Sequence, residues 1–379
     1  MYKHILPKPD GRRLLLYGIK DFDANLNAPS PSKDPVSVQG AHMRWHPLRG
    51  EWVSYAGHRQ NRTFLPPKEF NPLAPMRSAD FPTELPQGDY DVAVFENMFP
   101  TLSAQASAAP FLEGVETMPS AGACEVVVFT QDSETSLGRL TIEHIALLLE
   151  VWGDRYTELG ARKDIQYVLP FENRGVEVGV TLHHPHGQIY AYPFIPPVPA
   201  RMVDQERKYY EKNGKPLMCD FIEREIRTKE RLLYKGVSAV AFVPVCARYP
   251  YEVWIAPRKP LASLADLSAL DRLDFAKALK TVLMKFDALW DRPFPYLMTV
   301  FQAPTDGQAH PEAHFHFEFY PPYRSSDKLK YLAGTEIGAG MFANDAFPEA
   351  KAKELQAIEV HIENEPRRNQ EHGQGLEAQ

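Results

Sequence analysis

Apolar residues in the first half of the chain form short runs that polar, proline-rich stretches separate. Runs rich in β-branched residues indicate strands, because these side chains fit a pleated, half-buried surface. Between two such runs, apolar residues recur at helical spacing from Ile142 to Trp152, and Thr141 is a suitable N-cap. The pattern predicts strands at 90–95, 124–130 and 164–171, and a helix from 142 to about 159.

The same order of elements returns in the second half of the chain. The pattern there predicts strands at 239–244, 251–257, 296–301 and 314–320, and an amphipathic helix at 267–290. Because strand, strand, helix, strand, strand occurs twice at a similar pitch, we expect two copies of one unit that share a sheet. The predicted class is α+β, with a mainly antiparallel sheet and flanking helices. Asp287 is interpreted as a solvated charge on the second helix.

Local composition sets the predicted boundaries. Residues 1–40 are rich in proline, aspartate and serine, which predicts an arm or a loosely docked lead-in. The proline-rich stretch 64–89 lacks periodicity and predicts a long loop. The polar residues 363–379 predict a disordered tail. The two copies are then expected at 41–198 and 199–362, and the second begins with a charged helical connector.

Charge and cysteine content narrow the classes of function. The 379 residues carry a net charge of -7, whereas general nucleic-acid binders are usually basic, so we expect no nucleic-acid partner. No stretch approaches the roughly 18 apolar residues of a membrane span. The three cysteines are too widely spaced for a disulfide framework or a Cys-x-x-Cys metal knuckle. We therefore expect a soluble cytoplasmic protein without a membrane partner.

Three histidines stand within four positions at 183–186, and they are the strongest candidates for chemistry. Histidine clusters serve as metal ligands, nucleophiles or proton carriers. Pro185 pushes His184 toward an extended backbone, in which side chains two residues apart share a face. We therefore expect His184, His186 and Gln188 on one face of the chain.

The residues themselves leave metal binding and nucleophilic catalysis open. His184 and His186 could supply two metal ligands, but no further ligands at zinc-like spacing stand nearby in sequence. A nucleophile needs a neutral imidazole and donors for phosphoryl oxygens, and Gln188 and Asn173 are suitable donors. Gly187 has no Cβ, so we expect a ligand to approach the backbone closely there.

Other polar residues carry weaker signals. Arg59 and Arg62 could grip a diphosphate, although arginines on a surface strand are more often simply solvated. His314, His316 and Glu318 alternate along one predicted strand and could hold a cation. We favour a hydrogen-bonded polar row instead, because a fourth ligand is not evident.

Several segments, in order, resemble galactose-1-phosphate uridylyltransferases, a branch of the histidine-triad superfamily. The resemblance covers about residues 42–355. It is carried by His-Arg-x-x-Arg at 58–62, Phe-x-Asn at 95–97, Phe-Glu-Asn-Arg-Gly at 171–175, His-Pro-His-Gly-Gln at 184–188, Phe-Tyr-Pro-Pro at 319–322 and Lys-Leu-Lys-Tyr-Leu-Ala-Gly-x-Glu at 328–336. Hydrolytic members of the superfamily carry a further histidine where this chain has Gln188.

The resemblance implies two histidine-triad-like repeats and a ping-pong transfer in galactose metabolism. His186 would attack the α-phosphorus of UDP-glucose, release glucose 1-phosphate and pass the uridylyl group to galactose 1-phosphate. Gln188 would hold a non-bridging oxygen, and His184 completes the catalytic set. The family resemblance also implies a homodimer with a shared active site that takes a UDP-hexose and a hexose 1-phosphate. The expected substrate contacts are Arg59, Arg62, Asn97, Asn173, Gly179, Thr181, Lys330, Tyr331 and Glu336.

Relatives often hold zinc beside the first histidine of the motif, and this sequence departs from that pattern. Asn71 and Ala74 align with the cysteine pair, and Ser133 aligns with a separate histidine, so only His184 remains. We therefore expect no zinc and no required cofactor. The loop at 64–89 would then be held by packing and proline. A second family metal site also lacks most of its ligands.

Two alternatives to uridylyl transfer remain. One is a related sugar-nucleotide phosphorylase or adenylyltransferase that uses the same histidine on another nucleotide sugar. The other is a non-catalytic nucleotide-binding relative, against which the intact His184, His186 and Gln188 argue.

Overall fold

The structure, a computed structural model, describes residues 1–36, 38, 40–61, 66–67 and 70–362. Arg62 and the tail at 363–379 lie outside the described residues. The α-helices within these ranges are α1 (Ile142–Gly160), α2 (Pro197–Asn213), α3 (Leu217–Thr228), α4 (Ala269–Leu289) and α5 (Pro348–Gln356). The strands are β1 (Tyr2–Pro7), β2 (Arg13–Gly18), β3 (His42–His46), β4 (Glu51–Tyr55), β5 (Val92–Glu96), β6 (Thr117–Pro119), β7 (Ala123–Val128), β8 (Tyr167–Arg174), β9 (His186–Tyr192), β10 (Leu232–Lys235), β11 (Ala239–Phe242), β12 (Val253–Pro257), β13 (Tyr296–Phe301), β14 (His316–Tyr320), β15 (Tyr323–Ser325) and β16 (Lys328–Leu329).

The main sheet is symmetric about its centre. Its eleven described strands run in the order β1-β2-β5-β7-β9-β8-β13-β14-β12-β11-β10, and every neighbouring pair is antiparallel. Outward from the central pair, β9, β7 and β5 follow β8 as β14, β12 and β11 follow β13. The predicted α+β class, with a repeated unit and an antiparallel sheet, is confirmed.

Helices α1 and α4 pack together on one face of this sheet and enclose the main core. Thr141 caps α1 as predicted, because its hydroxyl accepts a hydrogen bond from the His144 amide at 3.2 Å. The fully buried Trp152 lies between the halves, with ring centroids 5.8 Å from Phe129 and 5.9 Å from Phe317. One apolar core therefore holds both copies together. No described helix is long and apolar enough to cross a membrane.

Different elements cover the opposite face of the sheet, here called the outer face. Helix α3 covers β11 and β12, with Met218 and Ile222 packed near Phe242. Over β2, β5 and β7 the cover is the described part of the loop at 66–89, which contributes Leu73 and Leu85. Proline-rich backbone therefore lies over the sheet close to the histidine motif.

The prediction of a loosely docked N-terminal arm is wrong for the first eighteen residues. Strands β1 and β2 form a hairpin that extends the main sheet, and β2 pairs with β5. Leu14 and Leu16 pack on the outer face, while Leu15 and Tyr17 join the main core. A strand buried on both faces reads as a continuous apolar run, so the alternation that marks a half-buried strand was missing.

Candidate active site

His186 begins β9 and lies between β7 and β8 near the centre of the N-terminal copy. Ile189 and Ala191 of this strand point into the core, so the alternate positions 186, 188 and 190 point to the outer face. His186 and Gln188 therefore share a face, as the sequence indicated.

The imidazole of His186 is held in one orientation. Its Nδ1–H donates to the backbone carbonyl of His184 at 2.6 Å. Desolvation lowers the pKa of His186, although that hydrogen bond acts in the opposite direction. In the described part of the chain no hydrogen-bond partner is found for Nε2. A neutral ring with its Nε2 lone pair free is the form that acts as a nucleophile.

His184 is buried beneath this arrangement and has a fixed tautomer. Its Nε2–H donates to the backbone carbonyl of Thr130 at 2.7 Å, and its Nδ1 lies 2.9 Å from the Asn71 amide nitrogen. The amide oxygen of Asn71 accepts from the Leu73 N–H at 3.0 Å, so its nitrogen must be the donor toward His184. Desolvation by burial lowers the pKa of His184 to about 4. The ring therefore stays neutral at physiological pH.

A cavity of about 820 Å³ opens beside His186. Asn173, His184 and His186 of the predicted site line it. Its far wall is formed by the C-terminal end of α4, including Lys280 and Asp287. The volume is in the range of small-molecule sites, and the wall carries both positive and negative groups.

The structure brings Arg59 and Asn97 together at the backbone of one residue, Phe99. Arg59 Nη1 donates to the Phe99 carbonyl at 2.6 Å, and the Asn97 side-chain oxygen accepts from the Phe99 amide at 2.8 Å. The backbone N–H of Asn97 also donates to the Cys124 carbonyl at 2.8 Å. Arg59, Asn97 and Phe99 lie on the outer face of the sheet, beside the end of β7 that contains Cys124 and several residues along the sheet from His186.

A short turn places Gly179 and Thr181 between β8 and the histidine motif. The 3-10 turn Val176–Val178 ends at Gly179, whose φ of +79° favours glycine. Gly175 before it has a φ of +100°, and a Cβ there would lie 2.5 Å from Pro295 Cβ. Glycine at 175 and 179 therefore lets the chain turn back so that β9 can pair with β8.

The three predicted C-terminal contacts do not line the cavity at His186. Lys330 pairs with Glu336 at 3.4 Å and donates to the Ala343 carbonyl. Glu336 also accepts from the amides of Ala333 and Ala343, and these backbone hydrogen bonds lower its pKa to about 2. Tyr331 is 75% exposed. In one chain these residues form a separate structured loop with an exposed tyrosine.

Sequence reasoning missed a charged group on the helix side of the cavity. Arg174 donates to both carboxylate oxygens of Asp287, at 2.7 and 3.0 Å, so Asp287 is not the solvated charge expected. Beside them, Glu172 is buried, accepts from Tyr296 at 2.9 Å, and has a pKa raised to about 7 by desolvation. The sequence did contain a signal for this charged group, because Glu172 and Arg174 alternate with Phe171 and Asn173 along β8.

Gly187 has a different role from the one expected. It faces the core rather than a ligand, and an added Cβ would lie 2.9 Å from the ring of Phe129 and 2.8 Å from the Phe171 carbonyl. Glycine is needed here because Phe129 packs against the backbone of β9. The sequence pattern could not distinguish close packing from close approach of a ligand.

The C-terminal copy carries a second histidine row on β14. His314 Nε2 donates to the Pro257 carbonyl at 2.7 Å, and His316 Nδ1 lies 3.2 Å from the His314 carbonyl. His316 Nε2 lies 3.0 Å from the Glu318 carboxylate. In the described ranges no group of three or more histidine, cysteine or acidic side chains is arranged to hold a metal ion.

The residues beside His184 do not match the zinc site that the resemblance implies. The Nδ1 lone pair that a metal would need accepts a hydrogen bond from Asn71. Ala74 has no ligating side chain, and the Ser133 hydroxyl lies 3.5 Å from Glu134. The donor set is thus an amide and a hydroxyl in place of thiolates and imidazole.

The symmetric antiparallel sheet of two repeated units, with His186 at a cavity and Gln188 on the same face of β9, fits a transferase. The chain belongs to the galactose-1-phosphate uridyl transferase family. The profile described as Galactose-1-phosphate uridyl transferase, N-terminal domain, matches residues 32–196, and the C-terminal domain profile matches residues 202–366.

Full-length relatives and solved structures agree with this placement. The galactose-1-phosphate uridylyltransferase of Thermotoga maritima is 39% identical over 84% of this chain and 99% of its own length. The enzyme of Streptomyces lividans is 34% identical over 93% of this chain and 97% of its own length. A solved uridylyltransferase structure superposes with a TM-score of 0.74 at 30% identity, covering 83% of this chain and 97% of that one.

Proposed function

We propose that this chain transfers a uridylyl group from UDP-glucose to galactose 1-phosphate through a covalent intermediate on His186. The observation that carries the proposal is the free Nε2 of a neutral His186, with Nδ1 fixed on the His184 carbonyl at 2.6 Å, at the edge of a cavity of about 820 Å³. The curated names of the relatives support the choice of substrates.

The first half-reaction forms a nitrogen–phosphorus bond. The Nε2 lone pair of His186 attacks the α-phosphorus of UDP-glucose, the bond from that phosphorus to the bridging oxygen breaks, and glucose 1-phosphate leaves. The imidazole becomes positively charged in this step, and the Nδ1 hydrogen bond to the His184 carbonyl stabilises that charge. Gln188, on the same face, donates to a non-bridging oxygen as negative charge develops.

The second half-reaction reverses the first with a different acceptor. A phosphate oxygen of galactose 1-phosphate attacks the same phosphorus, the nitrogen–phosphorus bond breaks, and UDP-galactose forms while the neutral imidazole is restored. Gln188 cannot remove a proton from water. Transfer to a phosphate is therefore favoured over hydrolysis.

The outer face of β9 suits the nucleotide. From position 186 to position 190 the strand rises about 13 Å, which is enough for a phosphate and a nucleoside. The positive charge of Arg59 acts on Tyr190, at the end of this stretch of β9. It lowers the pKa of the Tyr190 phenol, whereas burial, the largest effect, raises that pKa. We propose that the uridine extends from His186 toward Arg59 and Asn97.

The C-terminal residues fit a shared site. Because Lys330 and Glu336 do not line the cavity of their own chain, we propose that they and the exposed Tyr331 reach the sugar phosphate of a second subunit in a homodimer. Sedimentation of the purified protein tests the dimer. We also propose a cytoplasmic location, with which the three free cysteines agree.

The function is tested with His186→Gly. The intact protein should form UDP-galactose from UDP-glucose and galactose 1-phosphate and should accumulate a uridylyl-protein when the acceptor is left out. The variant should lose both activities by at least about 1,000-fold while it still binds UDP-glucose, because only the nucleophile is removed. Turnover that survives this change, or labelling by an adenine nucleotide sugar alone, would contradict the proposal.

A further inference from the structure

We propose that Asn71, on a loop clamped by the N-terminal hairpin, positions the nucleophile through His184 and takes the place of a metal ion there. The proposal rests on the proposed function, because it concerns how His186 is oriented for attack. Each link in this chain of contacts is a direct hydrogen bond or ion pair between described residues.

The first link fixes the state of His184. The Leu73 N–H occupies the Asn71 side-chain oxygen, so the amide can only donate to Nδ1 of His184. With Nδ1 as acceptor, the ring proton must be on Nε2, where the Thr130 carbonyl accepts it. Both ring nitrogens of His184 therefore have a partner in this one tautomer. A metal ion on one nitrogen and a hydrogen-bond partner on the other would fix the ring in the same way.

The second link joins the fixed His184 to the proposed nucleophile, His186. His184 is only 2% exposed, and its ring is held at both nitrogens, so its backbone is held as well. The carbonyl of that backbone accepts the Nδ1–H of His186 at 2.6 Å. A shift of His184 would therefore rotate the His186 ring away from the phosphorus, and small misplacements of reacting atoms are costly.

The third link holds the loop that carries Asn71. The amide of Glu84 donates to the carbonyl of Pro72, next to Asn71, at 2.8 Å. The Glu84 carboxylate accepts from both Nη atoms of Arg12, at 2.8 and 3.2 Å, and lies 2.7 Å from Lys8 Nζ. Lys8 Nζ also donates to the Glu84 carbonyl at 2.7 Å.

This clamp is buried and electrically balanced. Lys8 and Arg12 face Glu84 and Asp10, two charges of each sign, and all four residues are at most 5% exposed. A buried ion pair of this kind is costly to break because the remaining charge stays uncompensated. Residues 8–12 precede the family match, which begins at residue 32, so three of the four charged groups come from outside the matched domain.

The proposal assigns Asn71 as a positioning residue, and Asn71→Leu tests it. Leucine has a similar volume but cannot donate to His184. In single-turnover experiments with UDP-glucose, the rate of uridylyl-protein formation should fall about 10- to 100-fold, the usual effect of losing such an outer partner. The dissociation constant for UDP-glucose should stay within about threefold, because Asn71 is not proposed to touch substrate.

A second variant distinguishes an effect of the His184 tautomer from an effect of side-chain packing. Asn71→Asp keeps the shape but offers only acceptors, so His184 must protonate Nδ1 and lose the neutral Nε2–H form. Nitrogen-15 spectra of histidine-labelled protein should show the Nε2–H tautomer for His184 in the unaltered chain and its loss in this variant. Gln87→Leu is the matched control, since Gln87 on the same loop donates to the Met76 carbonyl and is exposed.

The clamp has its own test. In Glu84→Gln the backbone amides at positions 73 and 84 should exchange with deuterium at least about tenfold faster than in the unaltered protein, because opening of the loop becomes easier. If that variant does not fold, Ser30→Ala serves instead, since Ser30 accepts from Arg12 at 3.3 Å at the edge of the network. Unchanged exchange in the folded variant overturns the clamp.

The outcomes separate this inference from the proposed function. Wild-type labelling rates in Asn71→Leu, an Nδ1–H tautomer of His184 in the unaltered protein, or stoichiometric zinc whose removal slows labelling would each overturn the role of Asn71. If the unaltered chain does not label at all, the proposed function fails, while the nitrogen-15 spectra still decide whether Asn71 sets the tautomer.

Discussion

The two histidine rows, 184–188 on the N-terminal copy and 314–318 on the C-terminal copy, share a backbone arrangement and differ in the side chains around the rings. In each row the first ring donates Nε2–H to a backbone carbonyl, and the second ring approaches the carbonyl of the first through Nδ1. The symmetric sheet order places the rows on equivalent strands, β9 and β14.

The difference lies two residues after the second histidine. Gln188 leaves Nε2 of His186 free at the cavity, whereas Glu318 lies 3.0 Å from Nε2 of His316. His316 is only 2% exposed, and Arg248 binds the same carboxylate at 3.0 Å. The same scaffold thus leaves Nε2 of one histidine free beside the cavity in the first copy and pairs the equivalent Nε2 with a buried carboxylate in the other.

The residue between the second histidine and the following polar residue also differs between the two rows. In the first row it is Gly187, which lets Phe129 pack against the strand. In the second row it is Phe317, which packs against Trp152 and Phe275 with centroids 5.9 and 5.0 Å away. The second row is therefore joined to the main core through Phe317, and the two rows differ both in the partner of Nε2 and in access to the cavity at His186.

Among changes that make the two rows more alike, the largest effect is expected from converting the first row into the second with Gln188→Glu. The carboxylate would pair with Nε2 of His186 and repel the phosphoryl oxygens, so uridylyl-protein formation should fall about 100- to 1,000-fold, as when an oxyanion donor is removed. Quenched-flow labelling measures the rate. Gln188→Leu is the control for loss of the donor alone, and a Gln188→Glu variant no slower than that control would contradict the importance of pairing at Nε2.

An intermediate effect is expected from His316→Gln. Loss of the buried hydrogen bond to Glu318 should lower the free energy of unfolding by about 1–3 kcal/mol, while the folded variant keeps transfer activity. Urea unfolding and steady-state assays measure the two quantities. His186→Gln is the matched change, for which we expect the reverse pattern of large activity loss and small stability loss. Activity lost together with His316 would show that the second row takes part in catalysis.

The smallest expected effect is a difference between the pKa values of His186 and His316. Desolvation lowers the pKa of His186, whereas in His316 burial is outweighed by the hydrogen bond and charge of Glu318, which raise the pKa. Carbon-13 spectra of histidine-labelled protein should therefore show His316 losing its proton above, and His186 below, the ordinary value near 6.5. The His316 contribution to stability is fully present below that value and is lost as pH rises through its folded pKa. Equal midpoints for the two rings would remove the basis of the comparison.

Much of the fold could be predicted, because α1 and α4 carry apolar residues at helical spacing and strands such as β5, β7 and β11 are apolar runs that contain β-branched residues. Strand β2 could not, since its apolar run is leucine-rich, lacks β-branched residues and shows no alternation. The prediction that His184, His186 and Gln188 share one face followed from Pro185 and the two-residue period of a strand, whereas only the structure shows that this is the outer face.

The polar contacts that position the site were beyond the sequence. Asn71 stands 113 residues from His184, and Arg12 stands 72 residues from Glu84, so no local pattern announces either contact. The alignment with a family showed which ligands were absent, but only the structure shows which hydrogen bonds occupy their place. Asp287 was misjudged for the same reason, because its partner Arg174 lies 113 residues away.

The most direct test of the account is to map the site of uridylyl attachment. The unaltered protein is incubated with UDP-glucose without acceptor, digested under conditions that preserve the nitrogen–phosphorus bond, and analysed by tandem mass spectrometry. We expect one uridylyl group on His186 and none on His316, with loss of the label when galactose 1-phosphate is added. A label on His316, or on no histidine while turnover continues, would contradict it.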